Sequence, residues 1–276
     1  MLLVNATGLS REWIVAHRDD SMVATALSSF RTLCSRRIAG EPIAYLLEAR
    51  EFYGRRFRVT PEVLIPRPET ELLVDCVLAW LRRTPPRGAH HAWSVIDLGT
   101  GSGAIAATVA IEMDRSDVAA TIWATDISAD ALAIARSNAQ ALGARVRFVE
   151  SDWFAALESP GPLPSRFDCI VSNPPYIAAR DPHLVQGDLR FEPRRALTDE
   201  SDGLASIRRI VASASPHLVD GGALFFEHGF DQAESVRTMM IAAGFTGVRS
   251  WRDLAGIERV TCGIRETSRL ADDGFN

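Results

Sequence analysis

From about residue 93 onward the chain alternates short apolar runs with alanine-rich stretches of helical period, and few folds can accept that pattern. Residues 93–98, 120–125, 146–149, 167–171, 223–226, 245–251 and 260–264 read as strands. Residues 103–113, 128–142, 203–218 and 231–243 read as the helices between them. Strand–helix alternation joins parallel strands by right-handed crossovers and covers both faces of the sheet, so an α/β fold is expected. The last two strands have no helix between them, which makes the final one antiparallel. Ligands in such sheets bind beyond the carboxyl ends of the strands, where the strand order reverses.

The segment before this alternation is different. Residues 9–39 carry Trp13, Ile14, Ala16, Met22, Val23, Ala26, Leu27, Phe30 and Leu33 near a 3.6-residue period, which predicts helix up to Gly40-Glu41-Pro42. Residues 51–54 and 57–59 predict a hairpin around a glycine turn. Ile65-Pro66-Arg67-Pro68 must be extended, because a residue before proline is pushed out of the α region. Helix is expected again over 69–82, with Glu69 or Thr70 as its cap. Thr84-Pro85-Pro86-Arg87-Gly88 is the best boundary, dividing a region 1–83 from a region 84–276. The tail from Glu266 is polar and expected to be loose.

Composition removes several chemistries. All basic residues among the 276 are arginine, so a Walker lysine and a Schiff-base lysine are both excluded. The formal charge of −5 is uneven: residues 1–88 carry net +3 and residues 89–276 net −8. An acidic main body argues against a tightly held duplex, so no stable nucleic-acid complex is expected. Cys34, Cys76, Cys169 and Cys262 form no CxxC pair and suit neither a disulfide frame nor a zinc site, so no metal is expected. No apolar run reaches membrane-spanning length and the start lacks a basic signal region, so a cytoplasmic location is expected.

Four motifs fall at the ends of the first four strands of the alternating region. Asp97-Leu98-Gly99-Thr100-Gly101-Ser102-Gly103 leaves the first strand; its glycines let a ligand lie against backbone. By itself this loop suits a nicotinamide dinucleotide as well as S-adenosylmethionine. Asp126 ends the second strand, where an acid can accept both ribose hydroxyls; Asp126 or Ser128 can equally cap the next helix. Trp153 follows the third strand and can stack on adenine or fill the core. Asn173-Pro174-Pro175-Tyr176 follows the fourth. Two prolines remove two backbone donors and leave nearby carbonyls free to accept, Asn173 adds an amide, and Tyr176 adds a π-face. Such a notch suits a planar NH2 group. His228 near a late strand end reads as a structural hydrogen-bonding residue.

This constellation resembles the class I S-adenosylmethionine-dependent methyltransferases that modify planar nitrogens. The first third narrows the likeness. Arg36-Arg37-x-x-Gly40-Glu41-Pro42-x-Ala44-Tyr45-Leu46, Glu51-Phe52-Tyr53-Gly54 and Val63-Leu64-Ile65-Pro66-Arg67-Pro68-Glu69-Thr70-Glu71 are similar to the release factor glutamine methyltransferases, as are Asp202-Gly203-Leu204, Glu227-His228-Gly229 and Leu254-Ala255-Gly256-x-x-Arg259-Val260. The resemblance covers nearly the whole chain. It implies a Rossmann-like, mostly parallel seven-stranded sheet over 84–276 and a small helical, substrate-docking domain with a hairpin over 1–83. It implies methyl transfer from S-adenosylmethionine, leaving S-adenosylhomocysteine, to the side-chain amide nitrogen of the Gln in the Gly-Gly-Gln motif of class I peptide chain release factors, by a monomer.

Carried over by position, Asp97, Gly99, Thr100, Gly101, Ser102 and Gly103 cradle the cofactor's methionine part, Asp126 its ribose and Trp153 its adenine. Asn173 faces both cofactor and substrate, and Pro174, Pro175 and Tyr176 complete the substrate clamp. The family usually has glycine where this chain has Glu48, so the connection into the hairpin is expected to differ locally. An amide nitrogen is a weak nucleophile, and these motifs hold no strong base for it. Positioning is therefore expected to dominate, with the Asn173 oxygen and the Pro174 carbonyl accepting the two N–H bonds of the substrate amide. An adenine-N6 DNA methyltransferase shares the Asn-Pro-Pro-Tyr tetrad and is the nearest rival; a non-catalytic Rossmann-type binding domain is another.

Overall fold

A computed structural model describes residues 1–85, 87–88, 91–158 and 160–266. Pro86 of the boundary segment and the tail after Glu266 lie outside the described residues.

The continuous helix expected over 9–39 is not what forms. Three helices stand there and just before it: α1 (Leu2–Thr7), α2 (Arg11–Ala16) and α3 (Ala24–Ile38). Gly8, in the left-handed region at φ 69°, ends α1, and the Ser10 hydroxyl caps α2 by accepting from the Trp13 N–H at 3.2 Å. Residues 17–21, His-Arg-Asp-Asp-Ser, offer nothing apolar to bury, so the periodic pattern continues across a break in the helix. A short α4 (Ile43–Leu46) follows and was not expected. The hairpin does form, as β1 (Ala49–Phe52) paired antiparallel with β2 (Arg55–Arg58). Tyr53 and Gly54 turn it, both at positive φ, as a two-residue hairpin turn requires. The Tyr53 N–H donates to Glu71 Oε1 at 2.6 Å, fastening the turn to α5 (Thr70–Arg83). Neither Glu69 nor Thr70 caps that helix as expected: no side-chain cap bond forms, and the Thr70 hydroxyl is used elsewhere.

The large sheet begins with β3 (Trp93–Leu98), β4 (Ala120–Asp126), β5 (Val146–Glu150) and β6 (Phe167–Ser172), linked through α6 (Ala104–Arg115) and α7 (Ala129–Leu142). After β6 come α8 (Arg194–Leu197), α9 (Ala205–Ala214), β7 (Leu218–Glu227), α10 (Ala233–Ala242), β8 (Phe245–Arg252) and β9 (Glu258–Arg265). Strand order is β5-β4-β3-β6-β7-β9-β8. The final strand is antiparallel to both neighbours, as its missing crossover helix requires. The order reverses between β3 and β6, so the loops after these two strands flank the switch point.

Strand alternation builds two apolar layers. On β7, Phe225 packs with Leu73, Val77 and Val109 of α5 and α6, while Phe226 points oppositely toward Ile207, Ile210, Val236 and Met240 of α9 and α10. β7 starts earlier than expected, because a register shift lets it bulge through Gly221-Gly222 instead of stopping there. The expected helix over 203–218 is shortened by Pro216, which converts its last turn to a 3₁₀ turn at Ser215–His217. The excursion between β6 and α9 had no sequence signal. It carries 3₁₀ turns at Pro182–Val185 and Leu189–Phe191, then α8, and returns to lie beside the strand end through a single Ile177–Thr198 bridge.

Candidate active site

A cleft of about 370 Å³ opens at the carboxyl ends of β3 to β6. Its wall includes Gly99, Thr100, Gly101, Ser102, Asp126, Trp153, Asn173 and Pro175. Asp97, Gly103, Pro174 and Tyr176 are not part of that wall.

Gly99, Gly101 and Gly103 sit at φ 73°, 53° and 80°, a run of left-handed residues that side chains resist. A Cβ on Gly99 would lie 3.3 Å from the Trp153 ring, and one on Gly103 would lie 3.0 Å from Ala135 Cβ. The first glycine thus admits the aromatic, and the third seats the loop on α7. Gly101 has open space where a side chain would project. Asp97 is fully buried beneath the loop; its Oδ2 accepts from the Thr100 hydroxyl at 2.6 Å, and among the described residues Oδ1 has no partner of full hydrogen-bond geometry. Burial pushes its carboxyl up to about 7.

Asp126 closes the loop. Its Oδ2 accepts from the Gly101 N–H and its Oδ1 from the Ser128 N–H, both at 2.9 Å. Each oxygen keeps a lone pair for a hydroxyl in the cleft. Burial raises the pKa of this carboxyl, and the two N–H groups work against that rise. The capping question is settled: Ser128 caps α7, accepting from the Ala131 N–H at 3.2 Å. Trp153 lines the cleft and also packs, partly buried, against the core layer. Its φ of 53° is strained for so large a residue. The neighbouring Asp152 accepts two bonds from Arg209, at 3.0 and 2.8 Å.

At the end of β6 the Asn173 Nδ2 donates to Thr70 Oγ1 at 3.2 Å. Among the described residues no donor reaches Asn173 Oδ1 or the Pro174 carbonyl. The Tyr176 carbonyl, by contrast, is taken by Gln232 Nε2 at 2.9 Å. The Tyr176 hydroxyl donates to Glu227 Oε1 at 3.2 Å, and burial raises its pKa. His228 is wholly buried between Thr261 Oγ1 and the Gly229 carbonyl, at 2.8 and 2.9 Å, with its pKa lowered by burial; it is a structural residue, as expected.

Of the residues that shape the site, Asn138, Glu192 and Arg195 stood in no sequence motif, whereas Arg67 did. Asn138 on α7 donates to the Ser102 and Arg58 carbonyls at 2.8 and 2.9 Å and accepts from the Arg58 N–H at 2.7 Å, tying the glycine loop to the hairpin. Arg67 pairs with the buried Glu192, whose other oxygen accepts from the Ile65 N–H at 2.9 Å. Arg195 of α8 reaches Ser128 Oγ at 2.8 Å. Asn138 offered one sequence signal, a polar residue at a buried helix position, and Arg67 another, its place in the Pro-Arg-Pro-Glu-Thr-Glu segment.

The donor and acceptor set fits S-adenosylmethionine: a glycine cradle with room at Gly101, a carboxylate with spare lone pairs, and an aromatic wall. Fold and site together define a class I S-adenosylmethionine-dependent methyltransferase. The chain matches the family description Methyltransferase small domain over residues 72–192 and PrmC N-terminal domain over residues 1–47. Among solved structures it is similar in fold to a methyltransferase from Pyrococcus furiosus, with TM-score 0.51, 15% identity and coverage of 85% of this chain and 98% of that one. It is likewise similar to a 16S rRNA methyltransferase from T. Thermophilus in complex with AdoMet and guanosine, with TM-score 0.54, 19% identity and coverage of 79% and 50%. It is 53% identical to the release factor glutamine methyltransferase of Bordetella pertussis, covering 95% of this chain and 92% of that one. To those of Neisseria gonorrhoeae and Escherichia coli it is 50% and 42% identical, with 95% of this chain covered each time and 91% and 90% of theirs. The chain belongs to the release factor glutamine methyltransferases. That closes the dinucleotide alternative left open by the glycine loop.

Proposed function

We propose that this enzyme methylates the side-chain amide nitrogen, N5, of the Gln in the Gly-Gly-Gln motif of class I peptide chain release factors, and so acts in translation termination. Asn173 carries the reading: it lines the cleft, its NH2 is engaged by Thr70, and among the described residues no donor takes its Oδ1 or the adjoining Pro174 carbonyl. A primary amide presents two N–H bonds, and this pair can take both. Bound S-adenosylmethionine supplies an electrophilic methyl group. Gly99 to Gly103 and Thr100 hold its methionine part, with Asp97 steadying the loop through Thr100; Asp126 holds its ribose and Trp153 its adenine. Asn173 and Pro174 orient the substrate nitrogen and stabilise the positive charge that develops on it. Pro175 forms the wall, and Tyr176 packs behind the amide. The proton leaves after transfer, to water.

Residues 1–83 form the substrate-docking domain and 84–276 the methyltransferase domain. The protein acts as a monomer in the cytoplasm, without stable nucleic-acid or membrane binding. No helix among the described residues is long and apolar enough to cross a membrane. The direct test is incubation with labelled cofactor and a release factor, followed by mass spectrometry of the Gly-Gly-Gln peptide. One methyl group on that Gln is expected, and none when the Gln is changed to Glu. Transfer to adenine in DNA, or to no release factor, would overturn the reading.

A further inference from the structure

Phe230 is 70% exposed, while every other phenylalanine among the described residues is at least partly buried. One exposed apolar side chain is ordinary on a protein surface. What sets this one apart is where its backbone stands and how it is held. Ser172 of β6 pairs in parallel with Phe226 of β7, so Asn173 and Glu227 leave adjacent strand ends. Neighbouring strands lie about 4.8 Å apart. The turn carrying Phe230 therefore rises beside the Asn-Pro-Pro-Tyr tetrad.

Gln232 closes that turn and fastens it to the tetrad. Its Oε1 accepts from the Gly229 N–H at 2.8 Å, and its own N–H donates to the Gly229 carbonyl at 3.1 Å. Its Nε2 donates to the Tyr176 carbonyl at 2.9 Å and to the Gly203 carbonyl at 3.1 Å. A Cβ on Gly229 would lie 3.0 Å from Gln232 Oε1, so glycine there admits this close approach. The buried His228, bonded through both ring nitrogens, fixes the chain just before the turn. A second apolar side chain stands on the same edge of the sheet. β9 runs antiparallel to β7 and β8, so the β8–β9 turn opens on the tetrad's side. Leu254 on that turn is fully exposed, and Asp253 closes the turn by accepting from the Ala255 and Ile257 N–H groups at 2.9 and 3.0 Å.

Neither Phe230 nor Leu254 lines the cofactor cleft. They meet what approaches the tetrad from outside. A side-chain carboxamide on a protein arrives with its own backbone, which must cross this rim for the amide to reach Asn173. A glycine-rich backbone is bare enough for a flat ring to lie against it. We propose that Phe230 is a substrate-contact residue that packs on the polypeptide flanking the reactive Gln, and that Gln232 is a positioning residue that holds the ring in fixed relation to Asn173-Pro174-Pro175-Tyr176. This rests on the release factor being the methyl acceptor.

The test is methylation of a whole release factor by four variants. Phe230→Ser should raise KM for the release factor about tenfold, with kcat at saturation close to the parent. Its cofactor Kd by calorimetry and its Tm should be unchanged, because the ring is exposed. Phe230→Leu, which keeps apolar bulk, should cost only about threefold. Ile241→Ser is the control: Ile241 is 61% exposed near the end of α10, at the opposite edge of the sheet, and should match the parent. Gln232→Ala should raise KM as well, and should add no further rise in the Phe230→Ser background, because it acts through the ring. Release factor binding measured with S-adenosylhomocysteine present, where no turnover occurs, should weaken about tenfold in Phe230→Ser. A methylating parent with an unaffected Phe230→Ser enzyme overturns this contact alone, as do an equal loss in Ile241→Ser or rises that multiply in the Gln232→Ala double variant. A parent that methylates no release factor overturns the substrate assignment and this contact with it.

Discussion

The first three helices and the helices around the large sheet have similar sequence periodicity but very different surroundings. α1 and α2 bury no residue, and α3, fifteen residues long, buries only Leu33. α5, one residue shorter, buries seven, among them Leu73, Val77 and Leu81, and every residue of β6 is buried. Val15, Val23 and Ile38 stand in solvent at 66%, 71% and 87% exposure. Among the early helices only α2 has a side-chain N-cap, and surface ion pairs such as Arg36–Glu41 at 2.5 Å are worth little in water. The sheet region draws its stability from apolar burial instead. Rigidity is therefore concentrated where methyl transfer needs sub-ångström placement. The early helices retain exposed apolar surface, which the docking role proposed for residues 1–83 would use.

Core truncation should separate the two regions most sharply. Phe225 lies within 6.3 Å of the Trp80 ring and 6.2 Å of the Trp251 ring, with no exposure. Phe225→Ala should cost about 3–5 kcal/mol in chemical denaturation. Leu27→Ala on α3 should cost about 1 kcal/mol or less, and equal losses would erase the contrast. Next in size is an effect on rate without one on stability. Asn173→Ala should lower kcat by roughly 10²–10³, with cofactor affinity and Tm unchanged. A variant turning over near the parent rate would remove Asn173 from the chemistry.

The sheet region should also carry a pH signature that the early helices lack. Asp97 and Glu227 are both buried and both pushed up to about 7, above the ordinary carboxylate range. A carboxyl whose folded pKa is raised contributes stability that is complete below its unfolded value and is lost as pH rises through the folded one. Tm should therefore fall between about pH 5 and 8, each group contributing on the order of 1–3 kcal/mol. Glu227→Gln should flatten that slope, and an unchanged slope would mean Glu227 does not titrate in this window. The smallest effect is expected in the N-terminal part. Glu48 stands at φ 49°, in the left-handed region that favours glycine. Glu48→Gly should relieve this strain and raise stability by about 1 kcal/mol. A loss instead would show that the chain entropy added by glycine outweighs the strain.

That position also shows how far local sequence carries. The resemblance flagged Glu48 as a departure from glycine, and the backbone there took the glycine conformation regardless. The hairpin and sheet around it outweigh the preference of one residue. The strands read over 93–98 and 120–125 were legible because a largely buried strand is a mostly apolar run. The motifs after them were legible because each sits at a strand end. The break at residues 17–23 was missed because the amphipathic period runs on across it. The excursion from 174 to 204 was missed because short turns, held mainly by individual polar contacts, have no period to read.

By itself the sequence determined the alternating α/β architecture, the antiparallel last strand and the four motifs at strand ends. Each follows from properties carried within a few residues: apolar period, glycine freedom and proline geometry. Only the tertiary structure decided which side chains complete the site. Thr70 at the start of α5 meets Asn173 after β6, and Tyr176 meets Glu227 at the end of β7, only when the sheet closes, because each pair is far apart along the chain. A hydrogen bond depends on the distance and direction between two groups, and for residues so far apart in sequence those are set by packing alone.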